Sequence, residues 1–591
     1  MTIGQSGLLA ELPILKMTLD FCAWSCYNHF AKNSFWISTK KAGKRTMKNT
    51  GSKSTCLSWR NSALCIMREY RFEVIFGMVF SIALYSLMMS QQLTNPFDGM
   101  WHQNYHQSGR AELSSGRWLL FFLDQLTMGL HADPLTSLSS LLLYVAGFLL
   151  VLDLLEVKNR LWACLSLALF LSSTLISNTL SYRFTSFAYG LAFFLAVLSS
   201  YVLFKCKHSF FSIGISGILL GLALSCYQAY LAAFCIIVAF RGIFLCRKTP
   251  SVEDEDDATT SRTKQALSKM RVIFALGVAL VFYLLTLYLF LFVSHTSLSG
   301  YNGSGETSFG SVLHGLPKSI LKTFQYFIAY FFQDKLKINR FQSFGIFYPL
   351  MALLLVTVIL SALQVWKVRK RRSLYIVLIV LGIPVACNAY MLVAGDKLEL
   401  QMTVGLAMFA PLVLLLASDL FRGKRVPQTA CLFLCLALIY GNSLQVWFDQ
   451  EAMYEGQNAC ETMVTQLLCD LEQEELLSQD YQYYFVGVPE ENPWFHVSEV
   501  YNRANAYAQM GRFWISGNCS SSSYDGLIVQ RLGFELPIAY ASYEEMSKKL
   551  DLSSMPMFPD RGYYTLLDGK TVVIKMSDYA PYSGASKYEF P

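Results

Sequence analysis

Asp98, His102, His106, Arg110, Glu112 and Arg117 stand in one polar stretch of a chain otherwise dominated by long apolar blocks. Three more polar points follow: Ser181-Tyr182-Arg183, Tyr227-Gln228, and the group Asp396, Lys397, Glu399 and Gln401. A carboxylate such as Asp98 can take the proton from an attacking hydroxyl, general-base help worth about 10²–10⁴-fold. Guanidinium groups bind phosphate bidentately and neutralise it as it leaves, and this chemistry points to Arg110, Arg117 and Arg183. His102, Tyr227 and Gln228 supply hydrogen-bonding groups for holding a substrate.

Each of these residues also has a purely structural reading. Asp98 follows Asn95-Pro96-Phe97 and could cap a turn. Arg117 with Trp118 could anchor an interfacial helix, and Arg183 could snorkel to headgroups. Tyr227 and Gln228 could bond across helices. His102 and His106 are four apart and could share a divalent metal, but no third ligand accompanies them, so no metal site and no cofactor is assigned.

The elements that must position these groups are set by composition. Of 591 residues, 54% are apolar and 15% charged, against about 25% charged in an ordinary soluble domain. Eleven nearly charge-free stretches of roughly 17–23 residues lie between Phe72 and Val446, each able to cross a hydrocarbon core of about 30 Å as a helix. They are Phe72–Ser90, Leu135–Leu155, Leu161–Leu180, Phe184–Phe204, Phe210–Cys226, Leu231–Cys246, Val272–Val293, Phe344–Trp366, Leu374–Val393, Met402–Leu420 and Ala430–Val446. The expected fold is an all-α polytopic membrane bundle of about eleven transmembrane helices, with a small extracytoplasmic α/β domain at its C-terminus. Polar residues at membrane depth or gathered at one face are costly and thus functional candidates. If the helices bundle, the four polar segments converge at one end. Gly217 and Gly221, four apart, read as a close helix-packing motif.

The net charge of +7 is unevenly placed. Residues 1–71 carry eleven Lys/Arg against three Asp/Glu, and residues 447–591 carry nine against 21. Lys158, Arg160, Lys205, Lys207, the run from Lys367 to Arg372, and Arg422, Lys424 and Arg425 fall on one side of the spans. The positive-inside bias makes that side cytoplasmic, with the N-terminus inside and the acidic tail outside. No basic face interleaved with aromatics appears beyond the N-terminus, which argues against nucleic acid as a partner. The 15 cysteines are scattered, mostly within apolar blocks, and form no zinc-type spacing.

Three regions follow. Residues 1–66 form a basic extension, read either as lying upstream of a true start at Met67 or as a basic arm on the inner leaflet. Residues 67–446 carry the spans and the candidate site. Within them, Gly116–Leu123 reads as a short interfacial amphipathic helix, and the loop Ser294–Gln342 ends in a helix-like stretch. Residues 447–591 form the extracytoplasmic domain. It opens on an acidic amphipathic helix, Asp449–Leu477, followed by strand-like runs at Tyr483–Val488, Gly526–Val529 and Thr571–Lys575.

A carboxylate beside arginines near the headgroups suits a lipid-linked phosphosugar donor. The chain has no P-loop and no GxGxxG after a strand, which argues against a nucleotide-sugar donor.

The chain resembles the bacterial multi-spanning glucosyltransferases that modify O-antigen and other surface glycans, the serotype-converting type within the broader GT-C class. The resemblance runs from about Phe72 to the C-terminus. It is carried by Asn95-Pro96-Phe97-Asp98, Ser115-Gly116-Arg117-Trp118-Leu119, Tyr182-Arg183-Phe184 with Ala188-Tyr189-Gly190-Leu191-Ala192, and Leu224-Ser225-Cys226-Tyr227-Gln228-Ala229-Tyr230. The tail adds Phe485-Val486-Gly487, Pro559-Asp560-Arg561-Gly562 and Val572-Val573-Ile574-Lys575. The resemblance implies a GT-C-like helical bundle whose first outer loop holds an acidic catalytic residue, here Asp98. It also implies a polyprenyl-phosphate-linked sugar as donor, glucose as the hexose moved, a surface glycan as acceptor, and residence in the bacterial cytoplasmic membrane. Where the family often pairs aspartates this chain has Asp98-Gly99, and Glu399-Leu400-Gln401-Met402 stands where an arginine is expected. A flippase or transporter of lipid-linked sugars and a surface-polysaccharide polymerase are the rival readings. Spans that look mostly uninterrupted and polar groups gathered at one face favour the transferase over the transporter.

Overall fold

Where water is absent, a backbone can satisfy its own polar groups locally only as a helix, and the apolar blocks of this chain fold accordingly. The computed structural model describes residues 66, 68–94, 110–126, 133–206, 209–247, 258–298, 309–332, 347–368, 370–392, 398–495, 498–508, 520–533 and 535–578. The helices begin with α1 (Arg71–Ser90), the short α2 (Arg110–Ser114) and α3 (Trp118–Leu126), α4 (Leu135–Leu154), α5 (Arg160–Leu171), α6 (Thr174–Ser181), α7 (Ser186–Lys205), α8 (Ser209–Cys226) and α9 (Leu231–Arg247). They continue with α10 (Ala258–Val293), α11 (Phe309–Phe332), α12 (Phe347–Val368), α13 (Lys370–Leu381), α14 (Ile383–Cys387), α15 (Val404–Leu420) and α16 (Arg425–Gln473).

Each of the eleven apolar blocks coincides with helix over its described residues, but two are broken. Leu161–Leu180 is the pair α5–α6, bent by 48° at Ser172-Ser173. Leu374–Val393 is α13, then α14, then a 3₁₀ turn over Ala389–Leu392. Pro384 lies in the first turn of α14 and has no N–H to extend a preceding helix. Among the described residues, six helices are long and apolar enough to cross a membrane, or seven with the bent pair counted once. The other expected crossings fall on shorter apolar helices, among them Phe210–Cys226 and Val404–Leu420, and on the broken Leu374–Val393 block.

Small residues let the helices approach closely. Gly190 of α7 lies against the Ser140 backbone of α4, and Ser140 Oγ donates to the Ser186 carbonyl at 2.7 Å. Gly147 faces Phe193 across the same contact. Gly217 and Gly221 of α8 do pack as the sequence suggests, against Val278 and Phe282 of α10. Inside, Phe170 stacks between Phe148 at 5.3 Å and Phe193 at 4.9 Å, all fully buried. By contrast Phe274, Val281, Leu285, Tyr288 and Phe292 of α10 are exposed, an arrangement stable in lipid and unfavourable in water.

The opening helix of the tail is not separate. Asp449–Leu477 continues the last apolar block, and α16 is one helix of 49 residues, about 70 Å long. Gln450 ties it to α1: its Oε1 accepts from Met88 N at 3.0 Å and its Nε2 donates to the Leu84 carbonyl at 2.9 Å. Beyond α16 come β1 (Gln482–Val486), α17 (Glu499–Tyr507), α18 (Ser520–Leu527), α19 (Tyr543–Ser547), β2 (Tyr564–Leu567) and β3 (Thr571–Lys575). The sheet has the order β1-β3-β2, with β1 parallel and β2 antiparallel to β3. Two of the three expected strands are present. The third, Gly526–Val529, is helical, running from α18 into a π turn over Ile528–Leu532. A four-residue apolar run does not distinguish a strand from the buried turn of a helix, and stacking of Tyr524 on Phe485 at 4.0 Å holds this one as helix against the sheet.

Candidate functional site

The short helix expected over Gly116–Leu123 forms, preceded by a second one, as α2, a turn at Ser115-Gly116, and α3. Trp118 is buried, stacks on Phe290 of α10 at 4.8 Å, and draws Phe122 to the same ring at 5.1 Å. The turn is held by polar groups. Gln228 Nε2 donates to the Ser115 carbonyl and to Tyr283 Oη, both at 3.0 Å, and Tyr283 Oη donates to the Gly116 carbonyl at 3.1 Å. Gly116 has φ +85°, the left-handed region that favours glycine. A Cβ there would run into Tyr283 Oη and Gln228 Nε2. The next residue, Arg117, lays its guanidinium over the Tyr227 ring, 4.6 Å from the centroid, a cation–π contact.

A second polar knot closes the loop that separates α1 from α4. Arg183 Nε donates to Asp133 Oδ2 at 2.6 Å and its Nη2 to Gln92 Oε1 at 3.2 Å. Both charged side chains are buried, 8% and 2% exposed. Asp133 Oδ1 accepts from Thr136 Oγ1 at 2.7 Å, Ser137 Oγ at 2.6 Å and Ser137 N at 3.3 Å. Burial pushes the Asp133 carboxyl up, but Arg183 and the bonds from Ser137 and Thr136 more than offset it, so the net direction is down. Asp133 is thus a fixed anion at the mouth of α4. Thr94 Oγ1 adds a bond to the Ser181 carbonyl at 3.2 Å. Both ends of the first polar loop, Gln92 with Thr94 and Asp133, therefore meet at the turn Ser181–Arg183.

Tyrosine rings join the two knots. Tyr182 meets Tyr189 edge-on at 6.1 Å, Tyr189 meets Tyr227 at 5.2 Å, and Tyr227 meets Tyr230 at 6.2 Å. Tyr230 Oη shares a 2.7 Å hydrogen bond with Tyr144 Oη, which also donates to Thr179 Oγ1 at 3.2 Å. The 3₁₀ turn Leu400–Met402 packs against α6 and against Gln228–Tyr230, and Ala389–Leu392 packs against Gln228–Tyr230 as well. Hence the first loop, the α6–α7 turn, the α8–α9 turn and the segment before α15 come together at one end of the bundle. Ion pairs mark the other end: Lys205–Asp153 at 2.8 Å, Arg241–Glu156 at 3.4 Å and Arg247–Asp419 at 3.1 Å.

Of the residues singled out by sequence, Arg117, Arg183, Tyr227 and Gln228 belong to this assembly. Asp98 and His102 lie outside the described residues, as does His106; Arg110 opens α2, and its side chain is likewise outside them. Arg183 has two guanidinium nitrogens committed to protein, and the Gln228 amide nitrogen is committed to Ser115 and Tyr283. Asp133 and Tyr283 were not anticipated. Asp133 had a local signal, since Asp-Pro ahead of an apolar run with Thr136 and Ser137 is a helix-start pattern. Tyr283 had none, being one aromatic among many in an apolar helix. Among the described residues, no group of three His, Cys, Asp or Glu is arranged to hold a metal ion.

A family model described as Glucosyl transferase GtrII matches residues 96–442, more than half of the chain. The chain belongs to that glucosyltransferase family. It is a glycosyltransferase, of the serotype-converting, surface-glycan type that its motifs resemble. The matched stretch of this glucosyltransferase begins two residues before Asp98 and ends within α16, so both polar knots fall inside it apart from Gln92 and Thr94. The sheet domain and its motifs lie beyond it. No match was found among curated proteins or among solved structures.

Proposed function

We propose that this glucosyltransferase moves glucose from a polyprenyl-phosphate-linked donor to a cell-surface glycan on the outer side of the bacterial cytoplasmic membrane. The observation that carries the reading is the meeting of the Arg117 and Arg183 segments at one bundle end, with Tyr227 and Tyr189 between them. Cationic and aromatic groups gathered at a helix-end layer suit a sugar phosphate whose lipid stays in the bilayer. In this reading the bundle crosses the membrane eleven times, with this end outside. The Lys- and Arg-bearing helix ends, which hold the ion pairs of Asp153, Glu156 and Asp419, lie in the cytoplasm.

Asp98 acts as the base. It stands four residues beyond Thr94, a chain reach of about 14 Å at most, and Thr94 is bonded to the turn that carries Arg183. The acceptor hydroxyl gives its proton to Asp98 as its oxygen bonds to the anomeric carbon. The bond from that carbon to the phosphate oxygen breaks, and the lipid phosphate leaves with its charge held by Arg110, Arg117 or Arg183. His102, Tyr227 and Gln228 contribute to the substrate environment, and the acidic tail guides the acceptor.

The test is transfer of radiolabelled glucose from polyprenyl-phosphate glucose in membranes containing this chain. Label should enter a polymer with the intact chain and fall about 10²–10⁴-fold with Asp98→Asn. Full transfer by a folded, inserted Asp98→Asn protein overturns the catalytic assignment. No transfer from well-folded wild type overturns the donor.

A further inference from the structure

We infer that Tyr283 and Gln228 are positioning residues for Arg117: together they clamp the turn that carries it and so deliver its guanidinium to the donor phosphate. The inference rests on the reading above that Arg117 binds that phosphate.

Arg117 follows a glycine turn, a place where a long side chain ordinarily samples many directions. Here the two carbonyls just before it are both held. Ser115 O takes a bond from Gln228 Nε2 at 3.0 Å, and Gly116 O takes one from Tyr283 Oη at 3.1 Å. The two clamping groups are themselves bonded at 3.0 Å. The clamp has no slack, since even a methyl group at Gly116 would strike both of them. Tyr227, adjacent to Gln228, then holds the guanidinium itself through its ring. One short segment between α8 and α9 thus grips the backbone before Arg117 and the end of its side chain.

Tyr283 supplies the part that packing does not explain. Its helix packs on α3 through Phe290 and Trp118, and Tyr283 belongs to that apolar cluster. A phenylalanine would fill the same volume, yet the side chain carries a hydroxyl in an apolar layer, where a polar group is unfavourable unless bonded. Its hydroxyl donates to the Gly116 carbonyl of the Arg117 turn and accepts from Gln228, the other group that holds that turn.

The experiment measures glucose transfer by the full-length chain with polyprenyl-phosphate glucose as the varied substrate, then with the acceptor varied. For Tyr283→Phe the donor KM should rise about tenfold, the scale of one lost hydrogen bond, while the acceptor KM keeps its wild-type value. Gln228→Leu should raise the donor KM likewise. Tyr283→Phe combined with Arg117→Ala should be no worse than Arg117→Ala alone, because both remove one unit of function. A wild-type donor KM in Tyr283→Phe and Gln228→Leu, with Arg117→Ala impaired, overturns the clamp and leaves the role of Arg117 standing. Additive effects in the double variant also overturn it. A wild-type donor KM in Arg117→Ala overturns the underlying reading and the clamp with it.

Discussion

Asp133 and Arg183, fifty residues apart in the chain, meet in a buried ion pair with Nε 2.6 Å from Oδ2. The pair fastens the start of α4 to the turn before α7, and Gln92 extends it to the end of α1. Gln92 and Asp133, at the two ends of the first polar loop, are thereby tied to one guanidinium.

Breaking this pair should be severe. Asp133→Ala leaves the Arg183 charge buried without its carboxylate, a change that costs about 3–5 kcal/mol in comparable pairs. Thermal unfolding in detergent should show a clear loss, with Arg183→Ala similar and the double variant less damaged than the sum. The pair also sets a pH dependence. The folded Asp133 carboxyl lies below its ordinary value of 3.8. Its contribution is therefore complete above that value and is lost as the pH falls below it towards the folded pKa. Melting curves taken from pH 7 down to pH 3 should show an acid-side decline in the wild type that is smaller in Asp133→Asn.

Gly190 should tolerate nothing larger. A Cβ at that position meets the Ser140 carbonyl oxygen and Oγ at 2.8 Å, so Gly190→Ala must push α7 from α4 and weaken the Ser140–Ser186 bond. A loss of about 1–3 kcal/mol is expected from overpacking, read as a lower melting temperature. Gly277, with open space where its Cβ would sit, is the control, and Gly277→Ala should melt as the wild type does.

Gln450 places its amide between the Leu84 carbonyl and the Met88 N–H, groups one helical turn apart in α1. Gln450→Leu removes both bonds in a buried setting, with an expected loss of about 1–3 kcal/mol. Gln450→Glu keeps an acceptor for the Met88 N–H but buries a carboxylate against the Leu84 carbonyl, and should melt no higher than Gln450→Leu at neutral pH.

In the tail, Tyr524 is fully buried and stacks on Phe485 of β1 at 4.0 Å. Tyr524→Ala should cost about 3–5 kcal/mol within this small domain. Limited proteolysis of the full chain should then cut between residues 482 and 578 well before it cuts α4 or α7. Equal resistance to cleavage would show that the stack contributes little.

Much of the helical layout was legible because burial of an apolar run is a local property. Charge-free blocks marked where α1, α4, α7 and α9 lie, and the Ser115-Gly116-Arg117-Trp118 motif marked the start of α3. The breaks were less legible. Ser172-Ser173 and Gly382 are small residues that a helix in a bundle often tolerates, so the bend at α5–α6 and the break at α13–α14 do not announce themselves. In the tail, β2 carries a readable mark: Asp568 and Gly569, both at positive φ, are the central residues of the turn Leu567–Lys570, closed by the Lys570 N–H to the Leu567 carbonyl, which leads into β3. Gly526–Val529 misled for the opposite reason, since a glycine and three apolar residues suit a strand or one buried helical turn equally.

By itself the sequence determined the class of molecule: a chain of apolar helices, with its polar residues confined to a few connecting segments and an acidic, sheet-forming tail. Backbone desolvation and run length decide these features over about twenty residues at a time. Only the tertiary structure decided which polar groups meet. The pairing of Asp133 with Arg183, of Gln228 with Ser115, and of Tyr283 with Gly116 spans 50, 113 and 167 positions. No local pattern encodes such contacts, because they depend on which helices pack side by side and at what height. Helix packing through Gly190, Gly217 and Gly221 sets that height, and so decides that Arg117 lies over the ring of Tyr227.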